Sequence, residues 1–334
     1  MYIFNPEHDL CLANGDPHFV PPESALAFGR ECAGLTEFMR GLDPEADRDG
    51  AVPGKIVPWG WDYVLRKRLR KEGYPEELLP DDEQIRFIGE FSDRRFALEG
   101  LRYIYDHCGS DAEKGVTSPE YRIAASSVAD VEGFVAKHRN VVLKAPVSGS
   151  GKGIRFVADA LSHSDLGWCR NLIAKHGCVV VERRLTLLEE FAMLFKVNGA
   201  DVEFCGYSLF YTENGAYRGN ILASDPFIER KLSERIPLRQ LERVREGLLR
   251  FFKGTLCGKY EGFVGVDQFF SEEMGFNPVV EINIRLTMGL LARNIYDRFS
   301  GELALGDGTH HFEIIREKGE GGGRYSYSIV RKIL

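Results

Sequence analysis

Two stretches of this 334-residue chain set acidic side chains inside otherwise apolar runs. Gly265-Val266-Asp267-Gln268-Phe269-Phe270 carries a lone carboxylate, and Val279-Val280-Glu281-Ile282-Asn283-Ile284-Arg285 alternates polar with aliphatic residues. On a β-strand alternate side chains share a face, so Glu281, Asn283 and Arg285 project together. If the two strands pair antiparallel, Asp267 lies across from that face. Two carboxylates and an amide carbonyl are hard oxygen ligands suited to Mg²⁺ bridging nucleotide phosphates, and the Arg285 fork suits phosphate or acyl phosphate oxygen. The alternative is a half-exposed sheet face with a surface ion pair, against which stands the rarity of carboxylates inside apolar strands.

A second segment, Lys144-Ala145-Pro146-Val147-Ser148-Gly149-Ser150-Gly151-Lys152-Gly153-Ile154, invites comparison with a Walker phosphate loop and fails the test. That loop needs Ser or Thr after its lysine and a Gly five residues before its second Gly, where this chain has Gly153 and Pro146. The apolar run Ile154 to Val157 follows the glycines as a strand, which excludes the strand, turn, helix order of a dinucleotide site. Glycines remove Cβ obstruction, so backbone N–H groups and Ser hydroxyls can close on a polyphosphate, with Lys144 as a fixed charge at the end of a buried strand. A mobile Gly/Ser hairpin is the alternative for the loop taken alone.

These residues need strands to carry them. Val141-Val142-Leu143 leads into Lys144, and Cys178-Val179-Val180-Val181 ends at Glu182. Phe191 to Val197 and Val202 to Tyr211 read as paired strands turning at Asn198-Gly199, and Phe263 to Phe270 joins Val279 to Asn283 through the polar turn Ser271 to Pro278. Apolar spacing predicts helices over Glu23 to Arg40, from Asp93 to Tyr105 with Ser92 or Asp93 as N-cap, over Val128 to His138, and over Leu238 to Phe252. Met1 to Phe4 and Lys55 to Pro58 read as strands, Asn5-Pro6-Glu7-His8-Asp9 as a polar loop, and Tyr121 to Ser126 as a further segment before the Val128 helix. A boundary before the Asp93 helix leaves residues 1–90 as a small α/β domain.

The formal net charge of −7 argues against a nucleic-acid surface. The basic run Arg66-Lys67-Arg68-Leu69-Arg70-Lys71 reads as the solvated face of an amphipathic helix. Seven cysteines without a CxxC pair argue against a disulfide framework or a structural zinc site. With no long apolar run and no basic-then-apolar leader, the expectation is a reduced, cytoplasmic protein with no membrane partner. No Ser/His/Asp or Cys/His arrangement stands out; Cys11 beside His8 and Asp9 reads as chance proximity. Glu7 and His8 in the first loop, and Arg218 and Asn220 in Tyr217-Arg218-Gly219-Asn220, are candidate substrate contacts, with exposed solvated turns as the alternative.

In this order along the chain, from about Asp93 to Arg285, the motifs resemble the ATP-grasp superfamily. Lys144 with Ser148, Gly149, Ser150, Gly151 and Gly153 resembles its lysine-ended strand and glycine-rich hairpin. Glu182 resembles its hinge glutamate, Glu190 its ribose-contacting glutamate, and Asp267, Glu281, Asn283 and Arg285 its metal site. The first nucleotide-contacting lysine is replaced by Arg94, after Asp93. The resemblance implies an α/β (α+β) ATP-grasp fold, with two α+β lobes, 91–182 and 183–334, around ATP and Mg²⁺, Mn²⁺ being an alternative ion. It places Arg94, Lys144, Ser148 to Gly151, Gly153, Glu182 and Glu190 on the nucleotide, Asp267, Glu281 and Asn283 on the metal, and Lys144 and Arg285 at the transferring phosphoryl group. The implied activity is phosphorylation of a small-molecule or peptide carboxylate, followed by attack of an amine, less often a thiol. A small-molecule kinase and a nucleotide-responsive binding module are the other readings, and the oligomeric state is left open.

Overall fold

The computed structural model describes residues 1–48, 53–109, 116–148, 153–213, 216–319 and 322–332. In chain order the elements are β1 (Tyr2–Ile3), α1 (His8–Asn14), α2 (Glu23–Glu31), β2 (Val57–Pro58), α3 (Tyr63–Lys71), α4 (Asp82–Phe91), α5 (Arg94–Ile104), β3 (Arg122–Ala125), α6 (Val128–His138), β4 (Val141–Lys144), β5 (Ile154–Val157), α7 (His163–His176) and β6 (Val179–Arg183). There follow β7 (Leu187–Asn198), β8 (Asp201–Glu213), β9 (Ala216–Leu222), α8 (Asp225–Leu232), α9 (Leu238–Thr255), β10 (Gly262–Ser271), β11 (Gly275–Asn283), α10 (Met288–Phe299), β12 (His310–Gly319) and β13 (Gly322–Arg331). The fold is of the mixed α/β class.

The large sheet has seven strands in the order β11-β10-β7-β8-β9-β12-β13, and its characterised pairs are antiparallel. Its centre is covered on both faces. Phe191, Met193, Phe195 and Val197 share a buried cluster with Val244, Leu248 and Phe252 of α9, while Ala192 and Leu194 pack with Leu290, Leu291 and Ile295 of α10. A strand covered on both faces loses its alternation and reads as a continuous apolar run, so an isolated acid in it stands out. The β7–β8 turn is Gly199-Ala200, between the paired Asn198 and Asp201 and one position beyond the expected Asn198-Gly199, with Gly199 at φ +59°.

The smaller sheet, β3-β6-β4-β5, is also antiparallel. Val131, Phe134 and Val135 of α6 and Cys169 of α7 cover one face through Val141, Leu143, Val179 and Val181. Both helices start at capping boxes, Ser127 with Asp130 and Ser162 with Asp165, which satisfy N-terminal N–H groups. Arg122 ties this sheet to the large one. Its buried guanidinium donates to the carbonyls of Val280 at 2.7 Å and of Val279 and Ala97 at 3.0 Å, so β3 is fastened to β11 and α5.

The N-terminal segment, as far as Trp59, packs directly on the large sheet. Phe4, Cys32, Leu35, Met39 and Trp59 share one buried cluster with Leu194, Leu222, Phe263 and Leu290, and the Leu286 N–H donates to the Trp59 carbonyl at 2.9 Å. Two local readings change here. Asn5 to Asp9 is not a loop throughout: the buried Asn5 amide donates to the Gly60 carbonyl at 2.8 Å, the His8 N–H donates back to the Asn5 carbonyl, and α1 begins at His8. Glu23 to Arg40 is not one helix: α2 stops at Glu31 and a tighter 3₁₀ stretch, Ala33–Met39, turns both Leu35 and Met39 fully inward. The basic run lies on α3, which is capped by Asp62 and buries Leu65 and Leu69. The β12–β13 hairpin has no counterpart in the sequence reading. Among the described residues no helix is long and apolar enough to cross a membrane.

Candidate functional site

The acidic corner forms by strand register. Asp267 on β10 sits directly opposite Glu281 on β11, and Gly265 opposite Asn283. Asn283 donates its amide N–H to Asp267 Oδ2 at 3.2 Å. Opposed residues of an antiparallel pair point to the same side, so the two carboxylates are forced together. Burial, and then the Glu281 charge, push the Asp267 carboxyl up to about 7, with Arg285 and the Asn283 amide opposing. Like charges compressed in this way are relieved by a cation, which makes the corner fit one. Among the described residues no group of three or more His, Cys, Asp or Glu side chains could hold a metal. What the corner offers is two carboxylates and one amide, a partial set of hard oxygen ligands of the kind Mg²⁺ takes while keeping other positions for phosphate and water.

The opposite wall comes from the small sheet and the start of α5. β4 and β5 form the hairpin the sequence predicts, with Lys144 paired to Ile154 and the Ala145 N–H donating to the Gly153 carbonyl at 2.8 Å. Gly153 has φ +79°, and a Cβ there would stand 3.0 Å from the Ser148 Cβ, so only glycine closes this hairpin without strain. Gly149, Ser150 and Gly151 lie outside the described residues. Lys144 forms an ion pair with Glu182, its diagonal neighbour on β6; both are largely buried. Arg94, the second residue of the Asp93-Arg94 pair, is itself buried. It donates to Ser148 Oγ at 2.9 Å, to the Ala145 carbonyl, and to Glu281 Oε1 at 2.8 Å. One guanidinium thus joins the hairpin to the acidic corner.

Glu190, on β7, accepts from Thr212 Oγ1 at 2.7 Å. Burial raises its carboxyl above the usual value, the Thr212 bonds and the Lys144 charge opposing, and its own charge bears on Asp267. It therefore belongs to the same field of charges. Thr212 has no counterpart in the sequence reading.

Arg285 does not extend freely into the site. Its Nε donates to Asp9 Oδ1 at 3.0 Å and its Nη1 to the Leu286 carbonyl at 3.0 Å. Both ionic side chains are mostly enclosed, Arg285 at 16% exposure and Asp9 at 15%. Burial alone would raise Asp9, but Arg285, His8 and Arg94 together hold it below the ordinary carboxylate value. Asp9 is a residue that sequence reasoning did not connect to Arg285: its partner is 276 positions away, and its nearness to Cys11 plays no part in the pair.

The four candidate substrate contacts are not gathered at this corner. His8 is fully buried, with Nδ1 3.6 Å from Asp62 Oδ2 and its ring against the Gly60 backbone, so it is closed to a solute. Glu7 is half-buried beside Gly29, where burial raises its carboxyl. Asn220 lies inside β9, not on an exposed turn. It is fully buried, donating to Ser208 Oγ at 2.6 Å and to the Leu209 carbonyl and accepting from the Tyr217 hydroxyl. Arg218 is exposed on the same strand, separated from β10 by β7 and β8, roughly 14 Å at the usual strand spacing.

No family model and no curated protein matches the chain. Solved structures similar to it include N5-carboxyaminoimidazole synthetase from Staphylococcus aureus complexed with ADP, at 16% identity and TM-score 0.44, covering 78% of this chain and 65% of that one. Another is the biotin carboxylase domain of Hydrogenobacter thermophilus 2-oxoglutarate carboxylase with MgADP, ADP and bicarbonate, at 14% identity and TM-score 0.48, covering 78% and 58%. A third, from Archaeoglobus fulgidus and provisionally assigned to the ATP-grasp superfamily, has 15% identity and TM-score 0.46 over 99% and 98% of the two chains. This chain thus spans less than two thirds of the first two. With TM-scores below 0.5, function rests on this chain's own side chains.

Proposed function

We propose that this chain is an ATP- and Mg²⁺-dependent ligase of the ATP-grasp kind, joining a small-molecule or peptide carboxylate to an amine through an acyl phosphate. The observation that carries the reading is the Arg94 bridge, which bonds Ser148 of the glycine hairpin and Glu281 of the acidic corner at once. Two motifs far apart in sequence thereby supply one continuous array of cations and oxygen ligands. In this reading residues 91–182 hold the phosphates, residues 183–334 supply the metal corner, and residues 1–90 form the third wall.

Asp267, Glu281 and Asn283 would hold Mg²⁺, with Mn²⁺ an alternative. Bound there, the ion supplies charge neutralisation and a template for phosphate oxygens. Lys144, Arg94 and Arg285 bring fixed positive charge to the phosphates, stabilising a phosphoryl group as negative charge spreads over its oxygens. Glu182 and Glu190 stand for the nucleoside end, and Ser148, Gly149, Ser150, Gly151 and Gly153 for the cover. A carboxylate oxygen attacks the terminal phosphorus while the bond to ADP breaks, its electron pair leaving with ADP. The amine nitrogen then attacks the acyl carbon, phosphate departs with the C–O electron pair, and the amine releases a proton. No protein nucleophile enters either step.

The test is incubation with Mg·ATP, pooled carboxylates and hydroxylamine. A hydroxamate formed with stoichiometric ADP is the expected result, because an activated carboxylate is captured by any small nucleophile in reach. A stable phosphate ester of a hydroxyl compound replaces the ligase with a kinase, and tight ATP binding without turnover leaves a binding module.

A further inference from the structure

The long-range contacts that hold Arg285 come from the N-terminal segment of the chain. Its own strand has just ended at Asn283, so nothing in β11 fixes its side chain. Two contacts from the N-terminal segment do. The Leu286 N–H donates to the Trp59 carbonyl at 2.9 Å, pinning the adjacent backbone, and Asp9 accepts from Arg285 Nε at 3.0 Å, pinning the side chain. Asp9 is in turn rigidly placed. It occupies the first turn of α1, whose start is locked by the buried Asn5, bonded to Gly60, and by the buried His8, wedged against the Gly60 backbone.

Geometry limits what is left of the guanidinium. Nε and Nη1 are taken by Asp9 and Leu286, and among the described residues Nη2 has no protein partner. A carboxylate bonded at Nε fixes the plane of the fork and so its remaining donor direction, which a lone flexible arginine would not hold. The charge of Arg94 also bears on Asp9, so Asp9 sits within the field of the phosphate-facing cations and not on a remote surface.

We infer that Asp9 is a positioning residue for the ligase site: it holds the Arg285 guanidinium so that its free edge recognises the terminal phosphate of a nucleoside triphosphate. The N-terminal segment thereby takes part in telling triphosphate from diphosphate. This inference rests on the ATP-dependent reading above and adds to it a residue outside the phosphate hairpin and the acidic corner.

The experiment is calorimetric titration of the intact protein with Mg·ADP and with Mg·AMP-PNP, comparing wild type, Asp9→Asn, Arg285→Met and the double variant. Wild type is expected to favour AMP-PNP. Asp9→Asn reduces the ratio of the two affinities on the order of tenfold, as loss of an ionic hydrogen bond predicts. Arg285→Met reduces it at least as far, the double variant no further than Arg285→Met, and Asp9→Glu restores most of the ratio. Should Asp9→Asn fail to fold, Asp9→Ser is measured in its place. Equal weakening of both nucleotides, effects of the two substitutions that multiply, or a wild type without preference overturns the inference while leaving the ligase reading standing. A wild type that binds neither nucleotide overturns both.

Discussion

Two polar patches on the same sheet differ in where their hydrogen bonds end. At Tyr217 to Asn220 the amide and the hydroxyls satisfy one another: Tyr217 donates to Asn220, and Asn220 donates to Ser208 and the Leu209 carbonyl. At Asp267, Glu281 and Asn283 the one amide donates to Asp267 alone, Arg94 donates to Glu281, and Arg285 adds further positive charge from beyond the end of β11. The first patch closes on itself and fastens β8 to β9. The second is incomplete without cations. Polar residues in apolar strands thus mark a site only where charge is left over.

The largest effect that sharpens this contrast is expected at Glu281. Glu281→Gln keeps volume but removes an anionic ligand, so the Mg²⁺-dependent part of ATP affinity falls on the order of a hundredfold, with little change in melting temperature. Titrations with and without Mg²⁺ measure it; unchanged metal dependence would remove Glu281 from the corner. Lys144→Met retains an apolar stem and loses the charge, weakening ATP by about thirtyfold, a loss scaled to one charge-assisted bond. A folded variant with wild-type affinity would leave Lys144 only its pairing with Glu182.

The effect of pH is smaller and has a definite sign. Asp267 is raised from its ordinary value of 3.8 to about 7. Between those values the folded carboxyl keeps a proton that the unfolded chain has lost. Its contribution to stability is therefore full below pH 3.8 and lost as pH rises through about 7. A divalent cation competes with that proton, so Mg²⁺-dependent nucleotide affinity should rise about tenfold from about pH 6 to about pH 8. Asp267→Asn should flatten that profile; an unaltered slope would assign it to another group. The smallest effect on nucleotide is expected from Asn220→Ala, whose affinity stays within about twofold, while stability drops by about 1–3 kcal/mol because buried polar partners are stranded. Chemical denaturation and the same titrations read both; an affinity loss matching Glu281→Gln would erase the contrast.

What could be read from sequence divides along the same line. Lys144 and Glu182 were legible because each ends an apolar run, and Asp267, Glu281 and Asn283 because each interrupts one; strand alternation and register fix which neighbours they meet. The Val128 to His138 helix was legible from its apolar period, while its Ser127 cap was not named. Asp9 was not, since no local pattern links it to Arg285, and a turn-like composition at Asn5 to Asp9 hid a helix start held by tertiary bonds to Gly60. Asn220 misled for the converse reason: Gly219 beside it suggests a turn, whereas the glycine is needed for close approach to the Phe312 carbonyl, 2.5 Å from where a Cβ would stand.

The ion pair between Asp9 and Arg285 spans 276 positions, which has a consequence for the order of folding. Contacts that close so long a loop form only after enough intervening structure has brought the ends together. The hairpin at Lys144 and the β10–β11 pair are local and can form early, whereas the Arg285 anchor needs Asp9 from the start of the chain to reach it. A nascent chain halted before Arg285 can hold the hairpin but cannot assemble the full charge array. The charge array around the acidic corner is therefore complete only once Arg285 has been made and has met Asp9.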